Sequence, residues 1–338
     1  MAQHRHVKPA KTLLSAAARY REWHVNRIWY IMAFMIIVAA NLFQTTRVVA
    51  LSGNTIDTTW FVPRSLESPW MSFLSAALGV MVMWYDRVRG TLENALYGPL
   101  PRRQILMAKL WMASATIILG NALVAFVSVI VVMAIKQSAM TWAMHWQLVS
   151  TAMPKMLLLT MSRLALLMTA MAMTTLMSSL AFLVIAILIV GYFPELVSSA
   201  VAIAAHLLFS NVFPSWISTP ITVSGKLSPL NFLWPGHPMI YVVVYLLWAW
   251  GLSRMALIWW RQVPVERLFE PFYFLFLWNF FYAFLAVLTA LWGVVLLVPN
   301  FDLRMHTIVF VLLAVVGWFV WRWLVITIGR ISWRFGYF

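Results

Sequence analysis

Long apolar runs alternate with short polar segments along this chain of 338 residues. Several runs reach the roughly 20 residues that an α-helix needs to cross a hydrocarbon core, and they are apolar on all faces. A transmembrane β-barrel would show short segments of alternating polarity instead. The pattern therefore predicts an all-α polytopic membrane protein with about eight transmembrane helices. The predicted spans are residues 28–46, 70–85, 111–135, 156–176, 180–193, 239–260, 271–298 and 307–328.

The distribution of basic residues predicts which side of the membrane each polar segment occupies. The chain has 24 Lys and Arg against nine Asp and Glu, a net charge of +15. With the N-terminus inside, 17 of the 24 basic residues lie in or beside cytoplasmic segments and five lie in outside loops. Because cytoplasmic loops are enriched in Lys and Arg, this bias predicts that both termini are cytoplasmic. The charge marks topology, and no nucleic-acid-binding motif accompanies it.

Polar and short apolar segments divide the chain further. Residues 1–27 are amphipathic at helical spacing, which predicts a cytoplasmic connecting helix in the membrane plane; an ordinary basic flank is the alternative. The apolar segment 195–212 is short and bounded by prolines. If it crossed the membrane, the C-terminal arginines would lie outside, so an external re-entrant unit over 195–238 is favoured. Residues 28–260 then form the membrane core, and 261–338 add a C-terminal transmembrane hairpin.

Enzymatic and metal-binding patterns are missing from the sequence. The chain has no cysteine, which excludes thiol catalysis and thiolate metal sites. It also lacks a phosphate-binding loop, a His-Glu-x-x-His motif and a motif-supported Ser-His-Asp arrangement. The seven histidines are scattered near loops and termini. We therefore predict no catalytic residue, no metal site and no cofactor on this chain.

The nine acidic residues avoid the centres of the predicted spans. Proton- and sodium-driven carriers commonly use an ionisable carboxylate at membrane depth as the coupling site. Its absence disfavours ion-coupled secondary transport. If this protein moves a substrate uphill, we expect the energy to arrive through a cytoplasmic loop.

Arg163 is the exception among the charged residues, because it lies inside the fourth predicted span. A cation at the centre of a membrane helix costs a contested ~2.5–3.5 kcal/mol or more. We interpret Arg163, with Thr160 and Thr169 of the same span, as a candidate substrate pathway that contacts an anionic headgroup or a polar substrate. The alternative is a helix that begins later and leaves Arg163 to snorkel to the outer interface.

The longest charged segment between spans is 86–110, which reads DRVRGTLENALYGPLPRRQILMAKL. Residues 91–97 can form a short helix, and Gly98, Pro99 and Pro101 then break it. A short polar helix on a rigid elbow between two membrane helices suits docking of a soluble partner.

Within this segment, ENALYGPLPRRQILMAKLW (93–111) resembles the membrane subunit of bacterial ATP-binding-cassette exporters of the type-2, ABCG-like, permease class. The similarity consists of an acidic residue, a Leu-Pro turn with a basic pair, and a lysine that enters the third span. The stretch 97–99 departs from the family pattern, and the family usually has fewer spans. The matching residues are Glu93, Leu100, Pro101, Arg102, Arg103 and Lys109.

The resemblance implies a dimer of identical or related permease subunits in a bacterial plasma membrane, surrounded by membrane lipids. Two separate ATPase subunits would bind ATP and Mg, and residues 91–103 would be the coupling helix. The ATPase-coupling positions are then Glu93, Tyr97, Leu100, Pro101, Arg102 and Arg103. Two other classes stay open: a non-transporting scaffold or sensor subunit, and a membrane-embedded lipid-modifying enzyme, which needs clustered carboxylates or histidines.

Overall fold

In the computed structural model, the described residues are 16–52, 69–88, 100–135, 142–177, 180–198, 229, 238–263, 275–297 and 303–335. They form α-helices joined by turns, and none of them forms a β-strand. The helices are α1 (Ala16–Ser52), α2 (Pro69–Val88), α3 (Arg102–Ile135), α4 (Trp142–Thr174), α5 (Leu180–Gly191), α6 (Pro238–Gln262), α7 (Leu275–Leu297) and α8 (Leu303–Phe335).

These helices confirm the predicted helical, multi-pass membrane character. Each predicted span overlaps one helix, in the predicted order. By length and composition, the stretches able to cross a membrane are Ala16–Phe43, Arg102–Val131, Met153–Thr174 and Met239–Gln262. Shorter apolar helices are Met71–Asp86, Phe182–Gly191 and Ile308–Leu324. Eight crossings stay a prediction, since only part of the helices meet the length and hydropathy expected of a span.

Helix α1 continues through the predicted boundary between the N-terminal segment and the first span. Its buried side chains recur every four residues, at Ala18, Glu22, Asn26 and Tyr30. Residues at this spacing share one face of an α-helix. One face of one helix therefore packs into the bundle on both sides of residue 27, and the boundary is not a break in the helix. Residues before Ala16 lie outside the described residues.

Helices α1 and α3 lie side by side and run in the same direction. Near one end, Glu22 of α1 contacts Lys109 of α3. Farther along both helices, a Cβ added to Gly120 would lie 3.0 Å from Ile37. The absence of a side chain at Gly120 thus permits the close approach of the two backbones.

Helix α4 is the centre of the bundle. It packs against α2, α3, α5 and α6. Within Met153–Thr174, 78% of the residues in the apolar window are buried, compared with 22–33% for the other three stretches able to cross a membrane. Most of α4 is therefore covered by protein, so its polar side chains must find partners inside the bundle.

Helices α4 and α6 run in the same direction, because Leu158 and Ala165 share a buried cluster with Tyr241 and Val242, and Thr169 bonds Trp248 farther along both helices. Helices α4 and α5 pack against each other, and backbone hydrogen bonds of Thr175, Leu176 and Met177 close the turn that ends α4. The tight turn predicted near 177–179 lies partly outside the described residues, and α5 begins at Leu180. The end of α5 and the start of α6 consequently lie at the same end of the bundle. The predicted re-entrant unit between them is almost entirely outside the described residues.

Helices α7 and α8 pack chiefly against each other. The rings of Tyr282 and Trp318 meet edge to face at 4.6 Å, and the Trp321 indole donates a hydrogen bond to Thr289. These two helices occupy the region of the predicted C-terminal hairpin.

Candidate functional site

Among the described residues, the most highly charged buried site lies where α1, α2 and α3 meet. Lys109 of α3 places its Nζ 3.1 Å from Glu22 Oε2 of α1 and 3.1 Å from Asp86 Oδ2 of α2. The same Nζ donates to the carbonyl oxygen of Val82 at 2.9 Å. Each of the three charged side chains is 1% exposed. We call Glu22, Asp86 and Lys109 the buried ion triad.

Neighbouring side chains on α1 donate hydrogen bonds to one oxygen of Glu22. Asn26 Nδ2 donates to Glu22 Oε1 at 2.7 Å, and the Tyr30 hydroxyl donates to the same oxygen at 2.5 Å. The spacing of four and eight residues puts all three on one face of α1. A buried charge is tolerated only when it is paired and hydrogen-bonded, so these contacts allow a carboxylate inside an apolar bundle.

The triad holds both ends of the predicted coupling segment. Asp86 lies two residues before the end of α2, and Lys109 lies seven residues after the start of α3. Between them, residues 89–99 are outside the described residues, and these include the predicted positions Glu93 and Tyr97. Leu100 and Pro101 precede α3, and Pro101 is exposed.

Arg102, the first residue of α3, contacts the end of α6. Its guanidinium donates to the carbonyl oxygens of Val263 at 3.2 Å and Arg261 at 3.4 Å. In return, Trp260 Nε1 donates to the carbonyl oxygen of Arg102 at 3.0 Å. The last carbonyls of a helix lack partners within the helix, and a cation there also complements the helix dipole. Arg102 thus joins α3 to α6, while Arg103 beside it is half-buried.

The predicted pathway residues do not form one site. Arg163 is 1% exposed and donates a hydrogen bond to the Asn121 side-chain oxygen of α3. Thr169 faces α6, where it accepts a hydrogen bond from Trp248 Nε1 at 3.2 Å. Thr160 bonds back to the Met156 carbonyl of its own helix.

The start of α4 bears on the alternative interpretation of Arg163, in which the helix begins later. Helix α4 begins at Trp142, earlier than predicted rather than later. Arg163 therefore lies near the middle of Met153–Thr174 and inside the bundle. Snorkelling to the outer interface is not the arrangement in the structure.

Sequence reasoning missed the triad because it treated each member alone. Glu22 lies in the 1–27 segment that was predicted as an in-plane helix, and Lys109 entered only as part of the family resemblance. The repeat of Glu22, Asn26 and Tyr30 at four-residue spacing was an available signal, because it marks a polar face that needs a partner. Within the described part of the chain, no group of three His, Cys, Asp or Glu side chains could hold a metal ion.

Comparison of the chain with protein-family models, with curated proteins and with solved structures finds no match.

Proposed function

We propose that this chain is the membrane permease subunit of an ATP-driven exporter of the ATP-binding-cassette type. The observation that carries the proposal is the connection of both flanks of the 89–99 loop to the bundle. The buried ion triad joins the flanks to each other and to α1, and Arg102 joins the second flank to α6. A displacement of this loop would therefore be transmitted to α1, α2, α3 and α6.

The proposed mechanism follows from the way these contacts join the helices. A soluble ATPase that moves the 91–103 segment would displace Asp86 and Lys109 together, because Lys109 is bonded to α2 and α1 at once. A coupling free energy of ~1–3 kcal/mol between the ATPase site and the pathway would suffice to shift access between the two sides. The ATPase subunits would supply ATP, Mg and the hydrolytic chemistry.

The proposed assembly contains two permease subunits, identical or related, and two ATPase subunits on the cytoplasmic side of a bacterial plasma membrane. Both termini and the 86–110 loop face the cytoplasm. Residues Tyr97 and Leu100 supply an apolar anchor for the ATPase, and Glu93, Arg102 and Arg103 supply charge. Pro101 fixes the elbow that precedes α3.

Co-purification tests the proposal. The tagged chain, isolated with proteins encoded beside it, should retain an ATPase, and the chain alone should release phosphate only at background. Replacing Tyr97 and Arg103 by alanine should reduce ATPase recovery, since interface residues of these types often contribute ~2 kcal/mol or more. Arg19→Ala, an exposed change on α1, is the matched control. Equal recovery for both variants would remove the segment from the mechanism.

A non-transporting scaffold or sensor subunit would also bind an ATPase through this loop. Transport into inverted membrane vesicles separates the two functions, because a scaffold would bind the ATPase without ATP-dependent uptake. One observation favours ion-coupled secondary transport as an alternative function. Glu22 and Asp86 are buried inside the bundle, and ion-driven carriers commonly use buried carboxylates as coupling sites. Uptake driven by a proton gradient without any ATPase would favour that function.

A further inference from the structure

The outward face of α6 carries a cation in an apolar setting. Arg254 is exposed, and it lies within the membrane-crossing stretch Met239–Gln262. Its neighbours on the same face are large apolar side chains that are about half exposed: Leu247 57%, Trp250 58% and Ile258 55%. The cation therefore belongs to a surface whose other members suit contact with lipid.

The position of Arg254 along α6 requires a counter-ion or solvation. Seven residues separate it from Arg261 in the last turn of the helix, which corresponds to about 10 Å along the axis. An exposed cation at that depth is costly in hydrocarbon, and bilayers reduce the cost by local thinning and by drawing headgroups inward. In the described part of the chain, no carboxylate pairs with Arg254.

The surroundings of the guanidinium suit an oxyanion. The Arg254 guanidinium carbon lies 5.6 Å from the centre of the Trp250 ring. An arginine in a cation–π contact can still use its guanidinium N–H groups, which form bidentate bonds to phosphate. Beside them, a Cβ added to Gly251 would meet no atom within 4 Å, so the surface is open at that point.

We propose that Trp250, Gly251 and Arg254 form a binding site for the phosphate of an anionic phospholipid, in the leaflet on the Gln262 side of the membrane. The Trp250 ring orients the guanidinium, Gly251 leaves room for the headgroup, and Leu247 and Ile258 contact the acyl chains. The inference is independent of the ATPase partner and depends only on α6 lying in a membrane.

Charge complementarity favours a lipid over a second copy of this chain. The chain has a net charge of +15, so an identical surface offers repulsion rather than a counter-ion. Among the described carboxylates, Glu22 and Asp86 are buried in the ion triad and cannot reach a neighbouring subunit. Phospholipid phosphates, in contrast, are abundant in the adjacent headgroup layer, from which they can be drawn toward a buried cation.

Lipid retention in mass spectrometry tests the proposal. The full chain would be placed in nanodiscs of phosphatidylcholine and phosphatidylglycerol and then released, and the bound lipids would be counted for the parent and for Arg254→Gln. We expect about five- to tenfold lower phosphatidylglycerol retention in the variant, with little change in phosphatidylcholine, as for one lost contact between an arginine and a phosphate. Arg254→Lys should give intermediate retention, because it keeps the charge and loses the bidentate geometry.

The control is Arg322→Gln, which removes an exposed arginine from α8. Equal phosphatidylglycerol loss in both glutamine variants would indicate a generic charge effect and overturn the site. Unchanged retention in Arg254→Gln would also overturn it. Loss of a dimer peak in that variant, with lipid unchanged, would assign Arg254 to a subunit contact instead. Displacement of the lipid by excess inorganic phosphate would show a free-anion site rather than a headgroup site.

Discussion

Two buried cations in this bundle have very different surroundings. Lys109 lies near one end of α3 between carboxylates from α1 and α2, whereas Arg163 lies near the middle of α4 and donates to the neutral side chain of Asn121. Their levels differ by twelve residues along α3, from Lys109 to Asn121, or about 18 Å. Both residues are buried cations, but Lys109 compensates negative charges whereas Arg163 bonds a neutral amide.

The difference predicts how each site responds to change. The triad contains two carboxylates for one ammonium, so removal of Lys109 would leave two buried negative charges close together. Removal of Arg163 would leave an amide without one hydrogen bond, which is a smaller loss. The triad thus holds three helices together through charged groups, whereas Arg163 contacts a neutral side chain between α3 and α4.

Lys109→Met should have the largest effect on the free energy of unfolding. Breaking a buried ion pair by removing one partner costs about 3–5 kcal/mol, because the remaining charge stays buried. Reversible unfolding in mixed micelles would measure it, with the exposed change Arg19→Ala as a control that costs less than about 0.5 kcal/mol. A loss of similar size in both variants would show that Lys109 does not compensate the carboxylates.

Neutralising the whole triad sharpens this prediction. The triple variant Lys109→Met, Glu22→Gln and Asp86→Asn removes every charge together, and it should be more stable than Lys109→Met alone. Replacement of a complete buried ion cluster by neutral residues is often close to neutral in cost. If the three losses simply added, the electrostatic explanation would be wrong.

The helical framework was predictable because hydrophobicity alone determines it. Long apolar runs predicted the positions of the eight helices that the structure describes, since a membrane helix must satisfy its backbone internally and cover it with apolar side chains. Helix ends were less accurate: α4 begins fourteen residues before the predicted span, at Trp142. Amphipathic residues near the interface do not signal where a helix starts.

The buried ion triad, unlike the helices, was not predictable from the sequence. Membership of the triad depends on which faces of α1, α2 and α3 meet, and residues 22, 86 and 109 are far apart in the sequence. Arg102 shows the same limit, because its bonds to α6 reach across more than 150 residues. Polar residues at segment edges look solvated in the sequence, and only the packing shows that they are buried.

Arg163→Ala should have an intermediate effect, about 2–3 kcal/mol, from the unsatisfied Asn121 side chain and the lost packing. Pairing it with Asn121→Leu should recover part of this loss, since removal of both partners of a hydrogen bond costs less than removal of one. A double-mutant cycle on the micelle unfolding energies measures the recovery. A cost for Arg163→Ala above that of Lys109→Met would reverse the comparison between the two sites.

Gly79→Ala tests the close packing of α2 against α4. Gly79 of α2 lies against α4, where a Cβ would meet the Leu167 carbonyl oxygen at 2.9 Å and Ala170 Cβ at 3.0 Å. The backbone cannot yield easily, so we expect a cost of about 1–2 kcal/mol from overpacking. Gly251→Ala on the open face of α6 is the matched control and should be neutral or stabilising. Equal stability of the two alanine variants would show that α2 and α4 can separate without cost.

Arg102→Ala should have the smallest effect on global stability, about 0.5–1 kcal/mol, because the bonds it removes are partly exposed. Its effect should be local, at the α6 end that Arg102 joins to α3. Faster amide exchange in residues 259–262, with unchanged exchange around Glu22, is the expected result, since the triad does not depend on Arg102. Faster exchange at both places would mean that the α3–α6 contact and the triad unfold as one unit, and the separation of charge sites argued above would then apply only to Arg163.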